Sequence, residues 1–244
     1  MPERPRGASP TNQIVIAIDG PAASGKSSTA QWVAKRLGFK HVDSGALYRA
    51  ITAVALRRYP AAESWTEDLV LSCGAAVALT PDGGSVAPTL DGKRADEEIR
   101  GAGVTDHVSE VARMQRVRAW VNDMVRRASA SFDIVVDGRD MGTAVFPNAQ
   151  LKVFLVADPW ERARRRLVQQ LGRGPTDDEI AAETSRLVHR DAGDATQTVQ
   201  AVDAVLIDTT YLTQEQQVER IVALARAVSH RGNASSVDGR EKQG

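Results

Sequence analysis

Residues 20–27 read Gly20-Pro21-Ala22-Ala23-Ser24-Gly25-Lys26-Ser27 and match the pattern G-x-x-x-x-G-K-[ST] at every fixed position. The stretch follows an apolar run, Ile14 to Asp19, and precedes apolar residues at helical spacing. In that setting successive backbone N–H groups turn inward around a phosphate, and the helix N-terminus adds partial positive charge. The alternative is a chance glycine turn. The strand-loop-helix context favours a nucleotide-phosphate loop.

Two side chains of this loop, and one beyond it, predict the cofactors. A lysine at the position of Lys26 reaches the β- and γ-phosphates of ATP, and the Ser27 hydroxyl ligates Mg²⁺. Asp137 ends the apolar run Phe132 to Val136, where a carboxylate can bind Mg²⁺ through water. Asp137 can instead begin a turn at Gly138. We take ATP and Mg²⁺ as the cofactors, with Ser27 and Asp137 at the metal.

The pattern of strands and helices outside the loop predicts the fold class. Short apolar runs alternate with stretches of helical spacing, which indicates a three-layer α/β fold with a parallel sheet. The predicted strands are 14–19, 40–43, 132–137, 151–156 and 204–208. The predicted helices are 29–37, 45–58, 108–127 and 215–228, and a helical hairpin spans 160–191.

Changes in composition divide the chain further. Residues 73–103 contain two short strand patterns with glycine-rich turns, and they form a small β-rich insert. The core comprises 13–72 and 104–228, and the hairpin forms a lid over about 160–194. Residues 1–12 and 229–244 are polar, and we expect both ends to be flexible.

Charge and composition exclude several classes of protein. Lys and Arg number 31, Asp and Glu also number 31, and so the net charge is zero, which argues against a nucleic-acid or membrane-surface partner. The single cysteine, Cys73, excludes an internal disulfide framework and suits a reducing cytosol. No apolar run approaches the ~20 residues of a membrane span. We expect a cytoplasmic monomer that binds neither nucleic acid nor membrane. The motifs N-K-x-D and D-x-x-G of GTPases are absent from the sequence, which leaves a small kinase as the leading class.

Arginines at strand ends and in the hairpin are candidates for phosphate contacts. Arg49 and Arg139 each follow a predicted strand, where ligands gather in doubly wound sheets. A guanidinium group is planar, bidentate and permanently charged, which suits a phosphate. In the basic run that begins the hairpin, Arg162, Arg165 and Arg166 share one helix face. Such a run is often a solvated face; here it predicts a lid that brings arginines to the transferred phosphoryl group, with Arg190 and Asp194 closing from its far end.

Four stretches together resemble the bacterial cytidylate kinases, a family of nucleoside monophosphate kinases. They are IDGPAASGKSS (18–28), VDSGALYRA (42–50), LDGKRADEEIR (90–100) and VDGRDMGTAVFP (136–147), and the resemblance extends from about Ile14 to Val228. It implies a P-loop kinase fold in which Gly20 to Ser28 bind ATP and the insert helps to bind the monophosphate. It further implies that the CMP site is lined by Ser44, Arg49, Ser109, Arg118, Arg139 and Asp140. Arg190 and Asp194 match the lid-end arginine and aspartate of the family, which approach the phosphate and the sugar.

The sequence departs from this family at one position of the expected CMP site. The family's pattern has an arginine where this chain has Gln197, and the segment that follows is shortened. A neutral amide does not replace a guanidinium on phosphate. One CMP contact is therefore missing or rebuilt, and the sequence alone predicts that Gln197→Arg lowers the KM for CMP.

The activity implied by the resemblance is ATP-dependent phosphorylation of CMP and dCMP to CDP and dCDP. Lys26, Arg139, Arg162, Arg166 and Arg190 are the candidates for neutralising charge on the transferred group. Two alternatives stay open: a P-loop kinase for UMP, AMP or a small non-nucleotide acceptor, and a non-catalytic ATP-binding regulator.

Overall fold

The computed structural model describes residues 13–237, and side chains as far as residue 228. The strands in this part of the chain form one seven-stranded sheet in the order β3-β4-β2-β5-β1-β6-β7. Neighbouring strands are parallel except β3 and β4, which are antiparallel. The strands are β1 (Val15–Asp19), β2 (Lys40–Asp43), β3 (Val77–Asp82), β4 (Ser85–Leu90), β5 (Ile134–Gly138), β6 (Leu151–Val156) and β7 (Val205–Asp208). The predicted α/β fold is confirmed.

Helices cover both faces of this sheet. They are α1 (Lys26–Leu37), α2 (Ser44–Arg58), α3 (Glu67–Ser72), α4 (Asp96–Ile99), α5 (Ala102–Val111), α6 (Gln115–Ser129), α7 (Pro159–Leu171), α8 (Asp177–Asp194) and α9 (Gln214–Val237). The helix predicted over 108–127 is two helices, because Met114 has an extended backbone (ψ 113°) between α5 and α6. Within residues 13–237, no helix is long and apolar enough to cross a membrane.

The alternation of side chains along β1 explains the two apolar cores. Val15 and Ala17 face one cluster with residues of α2, α5 and α6, whereas Ile16 and Ile18 face a second cluster with α1 and α9. Burial of both faces requires an apolar run without polar alternation, as the sequence has. The carboxyl ends of β1, β2 and β5 therefore open at one edge, where α1 and α2 begin.

The insert extends this sheet at its outer edge. β3 and β4 form a hairpin, and β4 pairs with β2 at one position, His41 with Ser85. The His41 backbone N–H also donates to the Gly84 carbonyl oxygen at 2.9 Å. The predicted segment 73–103 therefore holds a β-hairpin and the short helix α4, and its strands continue the main sheet.

Helices α7 and α8 form the predicted hairpin, and local capping sets its ends. The Asp158 carboxylate accepts from the N–H groups of Trp160 and Glu161, at 2.9 and 3.3 Å, and begins α7. Gly172, in the left-handed conformation, ends it. Thr176 and Glu179 form the predicted capping box that begins α8. Buried apolar residues then pack the hairpin onto the phosphate loop; they are Ala22, Ala163, Ile180 and Leu187.

The chain ends differ in how much of them is described. α9 continues to Val237, past the residue at which the sequence predicts the flexible tail to begin. The remaining tail, 238–244, and the predicted flexible N-terminus, 1–12, lie outside the described residues.

Candidate active site

The predicted phosphate loop is held tightly between β1, β6 and α1. Gly20 has φ +153°, and a Cβ atom there would lie 2.3 Å from the Leu155 carbonyl oxygen, so the position requires glycine. The Lys26 Nζ atom donates to the Pro21 carbonyl oxygen at 2.9 Å, across the mouth of the loop. Burial, with the charge of Arg139, lowers the pKa of Lys26 to about 7. The loop thus holds a half-buried lysine whose amine donates to a backbone oxygen of the loop itself.

Asp137 lies at the centre of a polar network at the end of β5. Its carboxylate accepts from the Ser27 hydroxyl and contacts His41 Nε2 at 2.7 Å. The Ser44 hydroxyl donates to the Asp137 backbone oxygen at 2.8 Å. The side chain is buried and directed at the phosphate loop, so the alternative of a simple turn-former does not account for it.

Ser27 and Asp137 supply oxygen donors of the kind that Mg²⁺ takes. A hydroxyl and a carboxylate at one strand end, beside the phosphate loop, fit an ion that obtains its other ligands from phosphate and water. Within residues 13–237 no group of three His, Cys, Asp or Glu side chains can enclose a metal.

A cavity of about 250 Å³ lies beside the loop, between α2, α6 and the end of α8. It brings together most of the residues predicted for the site. The predicted residues that line it are Ala22, Ala23, Lys26, Ser27, Ser44, Arg49, Ser109, Arg118, Asp137, Arg139, Asp140, Arg166, Arg190 and Asp194. Gln197 also lines it.

Ion pairs organise the cations of this cavity. Arg139 donates to Asp194 Oδ2 at 3.2 Å through Nη2 and to the Gly20 carbonyl oxygen at 3.0 Å through Nη1. Arg190 Nε lies 3.8 Å from the same Asp194 oxygen. Arg118 pairs with Asp140. Burial raises the pKa of Asp140 despite that pairing with Arg118.

Positive charge exceeds negative charge along one wall of the cavity. Burial and the charge of Arg190 lower the pKa of Arg49 to about 10, and burial and Arg139 lower the pKa of Arg190. Arg49 is held by Thr105 Oγ1, to which it donates at 3.0 Å. Arg166 pairs at 3.0 Å with Glu183. Because neighbouring guanidinium charges lower the pKa of Arg49 and of Arg190, an anion placed among them relieves the repulsion.

Arg162 does not line this cavity. Its guanidinium is buried under the loop and donates to the Ala22 carbonyl oxygen at 2.8 Å and to Asp191 Oδ2 at 2.6 Å. Asp191 in turn accepts from the Ala22 N–H at 3.1 Å. The donors that the sequence assigns to the transferred phosphoryl group are thus engaged in holding the loop to the hairpin. Arg165 is likewise engaged, with the carbonyl oxygens of Thr209 and Thr210.

Sequence reasoning did not single out three buried or half-buried polar residues that contact the site: Asp19, His41 and Asp191. Asp19 is buried and accepts from the N–H groups of Met141 and Gly142 at 2.8 and 2.7 Å, beside Asp140. Burial raises its pKa to about 6. Burial lowers the pKa of His41, but the hydrogen bond to Asp137 outweighs it and the pKa is raised. Asp19 ends a strand as Asp137 does, and that signal was available; His41 and Asp191 carried none.

A second cavity, of about 1020 Å³, adjoins the outer side of the loop. Ala23, Arg49 and Arg166 line both cavities, so the two meet at the loop. Gly25, Ser28 and the segment Thr210 to Gln214 line the larger one. The site therefore includes two adjoining compartments, with Ala23, Arg49 and Arg166 at their junction.

Comparison with known proteins gives one consistent family. A family model described as cytidylate kinase matches residues 16–227. A cytidylate kinase of Listeria monocytogenes is 40% identical over 220 residues, covering 88% of this chain and 97% of that protein. A cytidylate kinase of Limosilactobacillus fermentum is 39% identical over 213 residues, covering 85% and 93%. One of Chloroherpeton thalassium is 38% identical over 236 residues, covering 93% and 98%.

Proposed function

The chain belongs to the cytidylate kinase family, and from this premise we propose how its residues divide the work of phosphorylating CMP. It is a (d)CMP kinase, an enzyme that transfers a phosphoryl group to the monophosphate and yields the diphosphate. Family membership implies ATP as the donor. The individual roles that follow rest on the positions of the side chains described above.

The acceptor nucleotide occupies the 250 Å³ cavity. Arg49, Arg139, Arg166 and Arg190 receive its 5′-phosphate, because that wall carries the excess of positive charge. The base lies against Ser109, Arg118 and Asp140, while Ser44 and Asp194 complete the enclosure. An ionised Asp140 only accepts hydrogen bonds and suits the cytosine amino group; Arg118 only donates and suits cytosine N3 or O2.

The donor nucleotide occupies the loop and the larger cavity. Backbone N–H groups of the loop surround its phosphates, other than at Pro21, which has none, and Ala22, which donates to Asp191. The start of α1 adds partial positive charge. The cavity of about 1020 Å³ leaves room for the nucleoside. Since the two cavities meet at the loop, the γ-phosphate and the acceptor phosphate approach each other there.

Ser27 and Asp137 hold Mg²⁺, which when bound neutralises charge on the donor phosphates. His41 keeps one Asp137 oxygen engaged from the rear, and the other oxygen is left for Ser27 and the metal. Ser44 fixes the strand end through the Asp137 carbonyl oxygen.

Transfer requires positioning and charge neutralisation more than proton removal. The attacking oxygen belongs to an anionic phosphate, so no strong general base is needed. Lys26, Arg139, Arg166 and Arg190 offset the charge of the transferred group. Arg162 contributes through the loop that it holds. The hairpin covers the loop and excludes water, which would otherwise hydrolyse ATP.

One observation carries this proposal: a single cavity is lined both by Lys26 of the phosphate loop and by the Arg118–Asp140 pair. Such a cavity suits a small molecule with a phosphate at one end and a polar base at the other. The lone Cys73 and the balanced charge further support a cytoplasmic enzyme that acts on small molecules.

A coupled assay of ADP release tests the proposal with CMP, dCMP, UMP and AMP. We expect CMP and dCMP to give the highest kcat/KM. Preference for UMP or AMP would assign another acceptor. ATP binding without turnover on any acceptor would leave only the regulator.

A further inference from the structure

Gln197 stands between the lid and the wall of the acceptor cavity. It lies just beyond Asp194, the last residue of α8, and its backbone N–H donates to the Asp194 carbonyl oxygen at 2.9 Å. Asp194 itself holds Arg139 and neighbours Arg190. Gln197 is half-buried and lines the cavity. Its position is therefore tied to the end of the lid.

The side chain of Gln197 contacts the arginine assigned to the base. Its Oε1 atom accepts from Arg118 Nη1 at 2.9 Å. The same Nη1 donates to the Ala112 carbonyl oxygen at 3.1 Å, and Nη2 pairs with Asp140. Arginine has no acceptor, so the amide of Gln197 has only one productive orientation, with its oxygen towards Arg118.

The count of donors on Arg118 shows what this contact does. A guanidinium has five N–H groups, and three of them meet Ala112, Gln197 and Asp140. Both hydrogens of Nη1 are engaged, which fixes the plane of the group. The remaining two, on Nε and Nη2, have no acceptor among the described residues and are free for a ligand.

We propose that Gln197 is a positioning residue for base selection, which acts by holding the Arg118 guanidinium beside Asp140. This inference rests on the proposed function, in which Arg118 and Asp140 contact the base. Arg118 is then a fixed donor and Asp140 a fixed acceptor. The pair matches cytosine, which offers the N3 acceptor beside its amino donor, and mismatches uracil, in which donor and acceptor are reversed. Without Gln197, Arg118 can rotate and the distinction weakens.

The contact also reverses the expectation drawn from the sequence about this position. An arginine at 197 would bring a second cation to Arg118 Nη1 in place of an acceptor, and like charges at that distance repel. Gln197→Arg should therefore raise the KM for CMP rather than lower it. In this proposal Gln197 supports the contact between Arg118 and the base. It does not simply remove a contact with the phosphate of CMP.

The decisive variant is Gln197→Met, which keeps the length of the side chain and removes the acceptor. We expect the KM for CMP to rise about 10-fold, on the scale of a lost hydrogen bond to a charged group. The KM for ATP should stay constant, the preference for CMP over UMP should narrow by a similar factor, and the Kd for CMP measured without ATP should rise in parallel. Thr196→Ala, at the exposed neighbouring residue, is the control.

A double-mutant comparison separates this role from a general loss of structure. In an Arg118→Met background, Gln197→Met should add little to the change in KM, because the two residues act through one contact. If Gln197→Met lowers kcat and changes both KM values alike, or changes neither the KM nor the CMP/UMP preference, the inference is overturned. If the wild-type protein does not phosphorylate CMP, it is the proposed function that fails.

Discussion

At the scale of single residues, Lys26 is the cation of the phosphate loop whose charged form is disfavoured by burial. It is half-buried, and its pKa is lowered to about 7 by burial and by Arg139. We expect Lys26→Met to lower kcat about 10²-fold or more, the scale of losing one preorganised donor. The stability of the protein without ligand should stay the same or rise. Steady-state kinetics measures the fall in kcat, and urea unfolding measures the stability. Activity within a few-fold of wild type would show that Lys26 does not take part in phosphoryl transfer.

Asp140 is the residue through which the base should be discriminated. Asp140→Asn keeps the shape but adds an NH₂ donor that can turn towards uracil O4. We expect kcat/KM for CMP to fall about 10-fold or more and the discrimination against UMP to narrow. Asp68→Asn is the control, since Asp68 also pairs with an arginine but lies exposed. An equal fall with both substrates would mean that Asp140 only braces Arg118.

Asp19 should give the stability a measurable dependence on pH. Its pKa is raised from 3.8 to about 6, chiefly by burial. Between these values the folded state binds a proton that the unfolded chain has released, so stability falls as pH rises through this window. Between pH 3.8 and about 6, the free energy of unfolding of Asp19→Asn should rise by about 2 to 3 kcal/mol relative to that of the wild type. Urea unfolding at several pH values tests this; parallel curves for the two proteins would contradict it.

At the scale of elements, the hairpin of α7 and α8 depends on Asp191 more than on its caps. Asp191→Ala leaves the buried Arg162 without its carboxylate, which should cost about 3–5 kcal/mol. Thr176→Ala removes one side of the capping box and should cost about 1 kcal/mol. Urea unfolding compares them, and hydrogen exchange in α8 should accelerate more in Asp191→Ala. A similar, small loss of stability in both variants would show that the phosphate loop does not depend on the contacts of Asp191.

How far the elements can be predicted depends on whether the signal is local. The starts of α7 and α8 were predicted because Asp158 and Thr176 act within three residues of themselves. The break between α5 and α6 was missed, since Met114, where the backbone becomes extended, is neither glycine nor proline. Arg118 donates from the second helix, so this break helps to place the base contact.

At the scale of the whole molecule, the stability of the folded protein should depend on whether CMP is bound to the arginines proposed to receive its phosphate in the smaller cavity. These are Arg49, Arg139, Arg166 and Arg190. CMP at 100 times its Kd stabilises the folded state by about 2.7 kcal/mol, which for a chain of this size raises Tm by about 5–10 °C. Cytidine, which lacks the 5′-phosphate, is the matched control and should give little shift. Thermal unfolding measures both; equal shifts would show that the arginines do not bind the phosphate.

The whole site shows which residues a sequence can identify. The phosphate loop and the arginines after strands were predicted because the topology of a parallel sheet brings strand ends together. Arg162 was predicted to reach the phosphoryl group, yet it lies beneath the loop. Helix periodicity shows which residues share a face of the helix, but it does not show what that face packs against. Asp191 lies 169 residues from its partner Ala22, and no spacing in the sequence encodes that contact.

The hairpin of β3 and β4 meets the sheet at its edge, where His41 pairs with Ser85 and the His41 N–H donates to the Gly84 carbonyl oxygen. Hydrogen bonds among β2, β5 and β1 do not pass through it. Lengthening the turn of such a hairpin adds loop-closure entropy, which grows only with the logarithm of length. Extra residues at the Gly83–Gly84 turn should therefore be tolerated at little cost, whereas the strands themselves are fixed, because Val77, Val86 and Leu90 are buried in the core that α2 shares.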